Sequence, residues 1–126
     1  MEAIAIEGTS IIPTVNFDPC SGKLELSGLS IHEDATSFYV PLLDWIAEYS
    51  LNPQKTTEIN IKFKYFNTST SKCILDILRE LGKIHGTGSE VMVNWYYEEE
   101  DEDLLAIGED YKSVVTIPFN MIKYED

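Results

Sequence analysis

Positive charge is scarce in this chain. Nine lysines and arginines stand against 22 aspartates and glutamates, a formal net charge of −13 over 126 residues. Nucleic acids and anionic membranes need a basic patch, so this balance argues against both as partners. It favours basic or neutral partners. No apolar run approaches the ~18 residues that a membrane-crossing helix needs. Met1 to Glu7 has neither the basic start nor the long apolar run of a secretory signal. The expected location is therefore the cytoplasm. Cysteine is rare as well: Cys20 and Cys73 have no CxxC spacing and read as two free thiols, with a Cys20–Cys73 disulfide left open. The only histidines, His32 and His85, fall on different loops. No GxSxG, HExxH, P-loop or GxGxxG motif occurs. Gly86-Thr87-Gly88 follows a helical pattern rather than preceding one, so it reads as a stop signal. With no converging acid, base and nucleophile, the chain reads as a non-enzyme without cofactor or metal.

What is present is a folded core. A hydrophobic content of 44% is ordinary for a globular protein, and the length suits one domain over residues 1–126. Two segments read most clearly. From 58 to 66, Ile59, Ile61, Phe63 and Tyr65 alternate with Glu58, Asn60, Lys62 and Lys64, the period of a half-buried strand. After it, Cys73, Ile74, Ile77, Leu78 and Leu81 recur at helical spacing, opposite Asp76, Arg79, Glu80 and Lys83. The join is Asn67-Thr68-Ser69-Thr70-Ser71-Lys72. Asn, Ser and Thr cap helix N-termini, where free N–H groups and the positive end of the dipole point outward. A cap needs one such side chain, so this cluster either only caps the helix or carries the function. Residue chemistry alone leaves both open.

The remaining chain supplies the other elements. Ile11 to Phe17 predicts a strand with Ile11, Val15 and Phe17 on one face, at an edge or interrupted at Pro13. A turn over 18–22 leads to a second strand over 23–29, making a hairpin. A short strand over 3–7 can precede them. Phe38, Leu42, Trp45, Ile46 and Tyr49 mark a first helix, with a kink or late start at Pro41. Its successor should stop near Gly86 or Gly88. Val91 to Tyr97 alternates as a strand, Leu104 to Tyr111 predicts a short helix, and Val114 to Phe119 a closing strand, again an edge because of Pro118. The order is β-β-α-β-α-β-α-β. The predicted fold is α/β in two layers, a mixed sheet with helices mainly on one face, because the middle strand alternates where a doubly covered one would be apolar throughout. The six acids Glu98 to Asp103 read as a solvated loop running into a helix N-terminus. They lack the spacing and central glycine of a calcium loop.

From Tyr65 to Lys72 the sequence resembles the SiaC family of bacterial regulatory phosphoproteins. The resemblance also takes in Pro13-x-Val15-x-Phe17, Gly28-x-Ser30 with Glu33, Pro41-Leu42-x-Asp44-Trp45, Asn94-Trp95-Tyr96-Tyr97 and Pro118-Phe119, nearly the whole chain. It implies a STAS-like fold and a phosphorylation-switched regulator. Phosphate would be placed on Thr68 of the Asn-Thr-Ser motif, with Asn67, Ser69 and Lys72 around it and Ser69, Thr70 and Ser71 as fallback acceptors. The implied partners are a SiaB-like protein kinase, a metal-dependent PP2C-like phosphatase of the SiaA type, and a SiaD-like diguanylate cyclase. The cyclase would be bound and activated by the unmodified protein in cyclic di-GMP and biofilm signalling. Two other readings stay open: an anti-sigma-factor-antagonist-like partner switch, and a small-ligand binder or small enzyme using the wet sheet face.

Overall fold

Six strands form one sheet in sequence order, β1 (Ile4–Ile6), β2 (Thr14–Asp18), β3 (Lys23–Ser30), β4 (Thr56–Phe66), β5 (Glu90–Glu98) and β6 (Phe119–Tyr124). The computed structural model describes residues 1–125; Asp126, the last residue of the expected domain, lies outside them. The pairs β1–β2 and β2–β3 are antiparallel, and β3–β4, β4–β5 and β5–β6 are parallel. Helices α1 (Ala35–Tyr49), α2 (Thr68–Gly82) and α3 (Glu102–Val114) make the three parallel crossovers. Parallel neighbours require such a connection, whereas the hairpin of β2 and β3 needs only a tight turn.

One face of the sheet is dry. In register across it lie Phe17, Leu24, Ile59 and Val93, then Val15, Leu26, Ile61 and Trp95, all fully or almost fully buried. The helices cover this face: Trp45 of α1 meets Phe17, Ile74 and Ile77 of α2 are buried, and Tyr111 of α3 packs edge-on to Trp95. The other face is wet but ordered. Asn60, Asn94 and Asn120 stand side by side, with amide hydrogen bonds of 2.9 Å from Asn94 to Asn60 and 3.1 Å from Asn120 to Asn94.

Two features shape the end of the sheet where all three helices begin. The β3–β4 register slips between Gly28 and Leu29, so Phe63 pairs with Gly28, Tyr65 with Leu29, and Lys64 has no opposite number. Gly28 sits at φ +96°, a conformation that suits glycine. Such a bulge reverses which side chains face the core. Phe66 therefore turns inward and Tyr65 outward, with 59% of its surface exposed. This corrects the placement of Tyr65 on the core face. Further along, the β4–β5 ladder ends at Ile61↔Trp95, while β4 runs on to Phe66 and β5 to Glu98. The two strands part there.

Several boundaries differ from the expected ones. Strand β2 starts after Pro13, leaves Ile11 exposed, and is interior because β1 covers its edge. Helix α1 starts at Ala35 and carries Pro41 inside it, so the late start does not occur. Helix α2 ends at Gly82, before the glycines expected to stop it. Helix α3 runs through Val114, and β6 begins only at Phe119, directly after Pro118. The residues read as a closing strand are thus mostly the end of α3 and the turn after it.

Candidate functional site

The chain leaves β4 at Phe66 and enters α2 through Asn67, whose extended backbone (φ −89°, ψ 175°) makes it the N-cap. Its Oδ1 accepts the Thr70 N–H at 3.2 Å, and its amide nitrogen donates to the His32 carbonyl at 2.8 Å. One side chain thereby caps α2 and ties it to the β3–α1 loop.

The four hydroxyls that follow have different fates. Ser69 donates to Asn67 Oδ1 at 3.0 Å, with the His32 carbonyl at 3.3 Å as a second acceptor. Thr70 is fully buried and donates to the Ser30 carbonyl at 3.1 Å. Its Oγ1 also lies 2.9 Å from Ser30 Oγ, which lies 2.9 Å from the Tyr39 hydroxyl, so every hydroxyl in this dry chain has a partner. Burial pushes the Tyr39 hydroxyl above its ordinary range and keeps it neutral. Ser71 donates to the Thr68 carbonyl at 2.7 Å. The Ser71 carbonyl accepts from Tyr111 of α3 at 2.7 Å. Thr68 differs from the other three. It is the first residue of α2, it is exposed, and its hydroxyl has no hydrogen bond among the described residues. The backbone N–H groups of Thr68 and Ser69 likewise have no acceptor there. Lys72, one turn on, is exposed and forms no ion pair among the described residues.

The expected site residues Asn67, Thr68, Ser69 and Lys72 lie on the N-cap and the first two turns of α2. Of the expected fallback acceptors, Thr70 is buried in the folded protein and Ser71 is hydrogen-bonded to the Thr68 carbonyl. Four supporting residues were missed: Ser30, as a hydrogen-bond partner, with His32, Tyr39 and Tyr111. They reach the site from β3, the following loop, α1 and α3, and no local pattern marks them.

The histidines and the buried thiol have structural settings. His85 Nδ1 accepts the Val91 N–H at 3.0 Å. Cys73 is buried, and burial pushes its thiol up. His32 is enclosed by Phe38 and Tyr39, with ring centroids 4.6 and 5.8 Å away, and its Nε2 is buried without a partner. Burial lowers its pKa, against a smaller upward pull from Asp34. The fold therefore favours neutral His32. Below about pH 6.5 the unfolded chain takes up a proton that the folded protein resists, so stability is full above that value and falls as pH drops through it. Urea denaturation at pH 7.5 and 5.5 should show this loss in the wild type and a smaller one in His32→Phe. Equal losses in the two would assign it to other groups. Among the described residues no group of His, Cys, Asp and Glu is placed to hold a metal ion, and no helix is long and apolar enough to cross a membrane.

A family model described as "SiaC family regulatory phosphoprotein" matches residues 6–124. An uncharacterized protein of Pseudomonas aeruginosa strain UCBPP-PA14 is 26% identical over 126 residues, 100% of both chains. Among solved structures, SiaC of Pseudomonas aeruginosa superposes with a TM-score of 0.89 at 26% identity, covering 98% of this chain and 100% of that one. A structure of the diguanylate cyclase SiaD in complex with its activator SiaC, from the same organism, matches with a TM-score of 0.89 at 26% identity, over 96% of this chain and 99% of that one. The six-stranded mixed sheet with three helices is the architecture of these SiaC structures.

Proposed function

Since the chain belongs to the SiaC family of regulatory phosphoproteins, we propose that it is a non-enzymatic cytoplasmic switch that binds and activates a diguanylate cyclase while unmodified, and lets go when Thr68 carries a phosphate. One observation carries the choice of residue: of the four hydroxyls at the start of α2, Thr68 alone is exposed and without a hydrogen bond among the described residues. A kinase can reach it without breaking the cap. The choice of output is supported by the Pseudomonas aeruginosa complex, in which SiaC is the activator of SiaD. A protein kinase would add the phosphate and a PP2C-like phosphatase would remove it.

The chemistry of the turn suits the modification. A phosphate on Thr68 meets the free N–H groups of the helix start and the positive end of its dipole. Lys72 is within one turn of it. The test is cyclic di-GMP synthesis by the cyclase encoded in the same organism, with and without this protein. Synthesis should rise with added unmodified protein and saturate. No rise at saturating protein, with the cyclase shown to be folded and GTP-competent, would remove the proposed output.

A further inference from the structure

Where β4 and β5 part, a groove of about 410 Å³ opens between the end of β4 and the first turns of α3. Its floor is apolar, with Phe66 and Leu104 among the lining residues. One wall carries Lys64 and Tyr65, the other Asp101 and Asp103. Tyr65 stands there because the bulge turned it outward, and an aromatic 59% exposed is costly to leave against water. Aromatic side chains at the mouth of a pocket are typical anchors of protein interfaces. Thr68 starts α2 two residues beyond Phe66, a lining residue of the groove. The groove is therefore basic on the β4 side, with Lys64, and acidic on the α3 side, with Asp101 and Asp103.

We propose that this two-signed groove seats a segment of the output cyclase that places an apolar side chain on Phe66, Leu104 and Tyr65, a carboxylate toward Lys64, and a basic group toward Asp103. The inference rests on the reading of this chain as a cyclase activator and names the surface that does the binding. Charge complementarity selects this occupant. A purely basic segment would be drawn more strongly to a phosphorylated groove, whereas a segment with an acid on the β4 side is repelled once Thr68 carries about two negative charges. Phosphorylation then converts the basic wall into an acidic one and leaves the partner's carboxylate unpaired.

The test is a titration of full-length cyclase with wild type, Tyr65→Ala, Lys64→Glu and Asp103→Lys, each as unmodified protein and with phosphothreonine genetically encoded at position 68. All three substituted side chains are exposed, so melting temperatures should match the wild type, and a circular dichroism melt checks this. Tyr65→Ala should bind at least tenfold more weakly, and each charge reversal about fivefold. Phosphate should cost the Lys64→Glu variant much less than it costs the wild type, because that wall has already changed sign. Variants that bind within twofold of a wild type that does bind would overturn the groove and leave the activator reading intact. So would variants that keep cyclase binding but lose phosphorylation by the kinase, which would give the groove to the kinase. A wild type that fails to bind the cyclase would bring down the activator reading first, and the groove with it.

Discussion

Phosphothreonine at position 68 is expected to weaken binding to the output cyclase about a hundredfold while leaving the fold at least as stable as before. A hundredfold loss corresponds to about 2.8 kcal/mol. The fold should tolerate the group because it lands on the first residue of α2, where the Thr68 and Ser69 N–H groups lack acceptors among the described residues. Negative charge there is worth roughly 0.3–1 kcal/mol in favour of the folded state. The cap itself is untouched, since Asn67, Ser69 and Thr70 make their bonds to His32 and Ser30 without Thr68. The effect must then fall on association. Any interface built over this turn has to strip water from a group of about two negative charges, and truncating or burying one charged partner without its complement commonly costs several kcal/mol. Calorimetric titration of cyclase with wild type, Thr68→Ala and the phosphothreonine protein measures this. Thr68→Ala should bind like the wild type and take no phosphate from the kinase. Tight binding by the phosphothreonine protein, or full phosphorylation of Thr68→Ala, would reject the switch residue.

Replacing Trp95 should cause the largest loss of stability of any single core change near the site. Its side chain is 1% exposed, and its indole N–H donates to the Leu104 carbonyl of α3 at 3.0 Å. Its ring meets Phe66 and Tyr111 edge-on. Helix α3 lies so close that a Cβ on Gly108 would come within 2.5 Å of the indole, closer than any side-chain carbon can approach. Gly108 therefore forms the notch into which Trp95 fits. Trp95→Ala empties that notch and is expected to cost about 3–5 kcal/mol. Trp95→Phe keeps most of the volume but loses the indole hydrogen bond to the Leu104 carbonyl, at a cost of about 0.5–1.5 kcal/mol. Urea unfolding at constant pH gives both numbers. An alanine variant within 1 kcal/mol of the wild type would mean that α3 does not depend on this contact. Loosening α3 should also loosen Tyr111, which reaches from it to the Ser71 carbonyl.

The legible parts of the fold are those where local pattern and tertiary demand agree. The alternation from Glu58 to Phe63 and the helical spacing from Cys73 to Leu81 are each set by one buried face, and both appear in the structure. The Asn67 cap is legible for the same reason. Tyr65 is not, because its direction depends on a slip against Gly28 of another strand. The last strand fails similarly. Val114, Val115, Thr116 and Ile117 have strand-forming side chains, but α3 continues through Val114 and pairing with β5 starts only past Pro118. At the site, four neighbouring hydroxyls are equivalent to any local argument. What separates them is supplied from a distance: Ser30 engages Thr70 across 40 residues and His32 engages Ser69 across 37. The family resemblance named Thr68, and the hydrogen-bond pattern gives that choice a physical reason.

The strands lie in the sheet in the order in which they occur in the chain, β1 through β6. Each strand therefore pairs first with the one made just before it, and no closure has to span more than one helix and its turns. Loop-closure entropy is kept low by such an order, and folding rates rise as contacting residues come closer in sequence. During synthesis the β2–β3 hairpin is complete before any helix has emerged, and it offers β3 as a template for β4. The turn that bears Thr68 emerges directly after β4. Its buried seat on Ser30 and Tyr39 is by then already in place. The groove comes last, because its acidic wall waits for β5 and α3. In such a growing chain Thr68, the proposed phosphoacceptor, emerges before the surface proposed to read it.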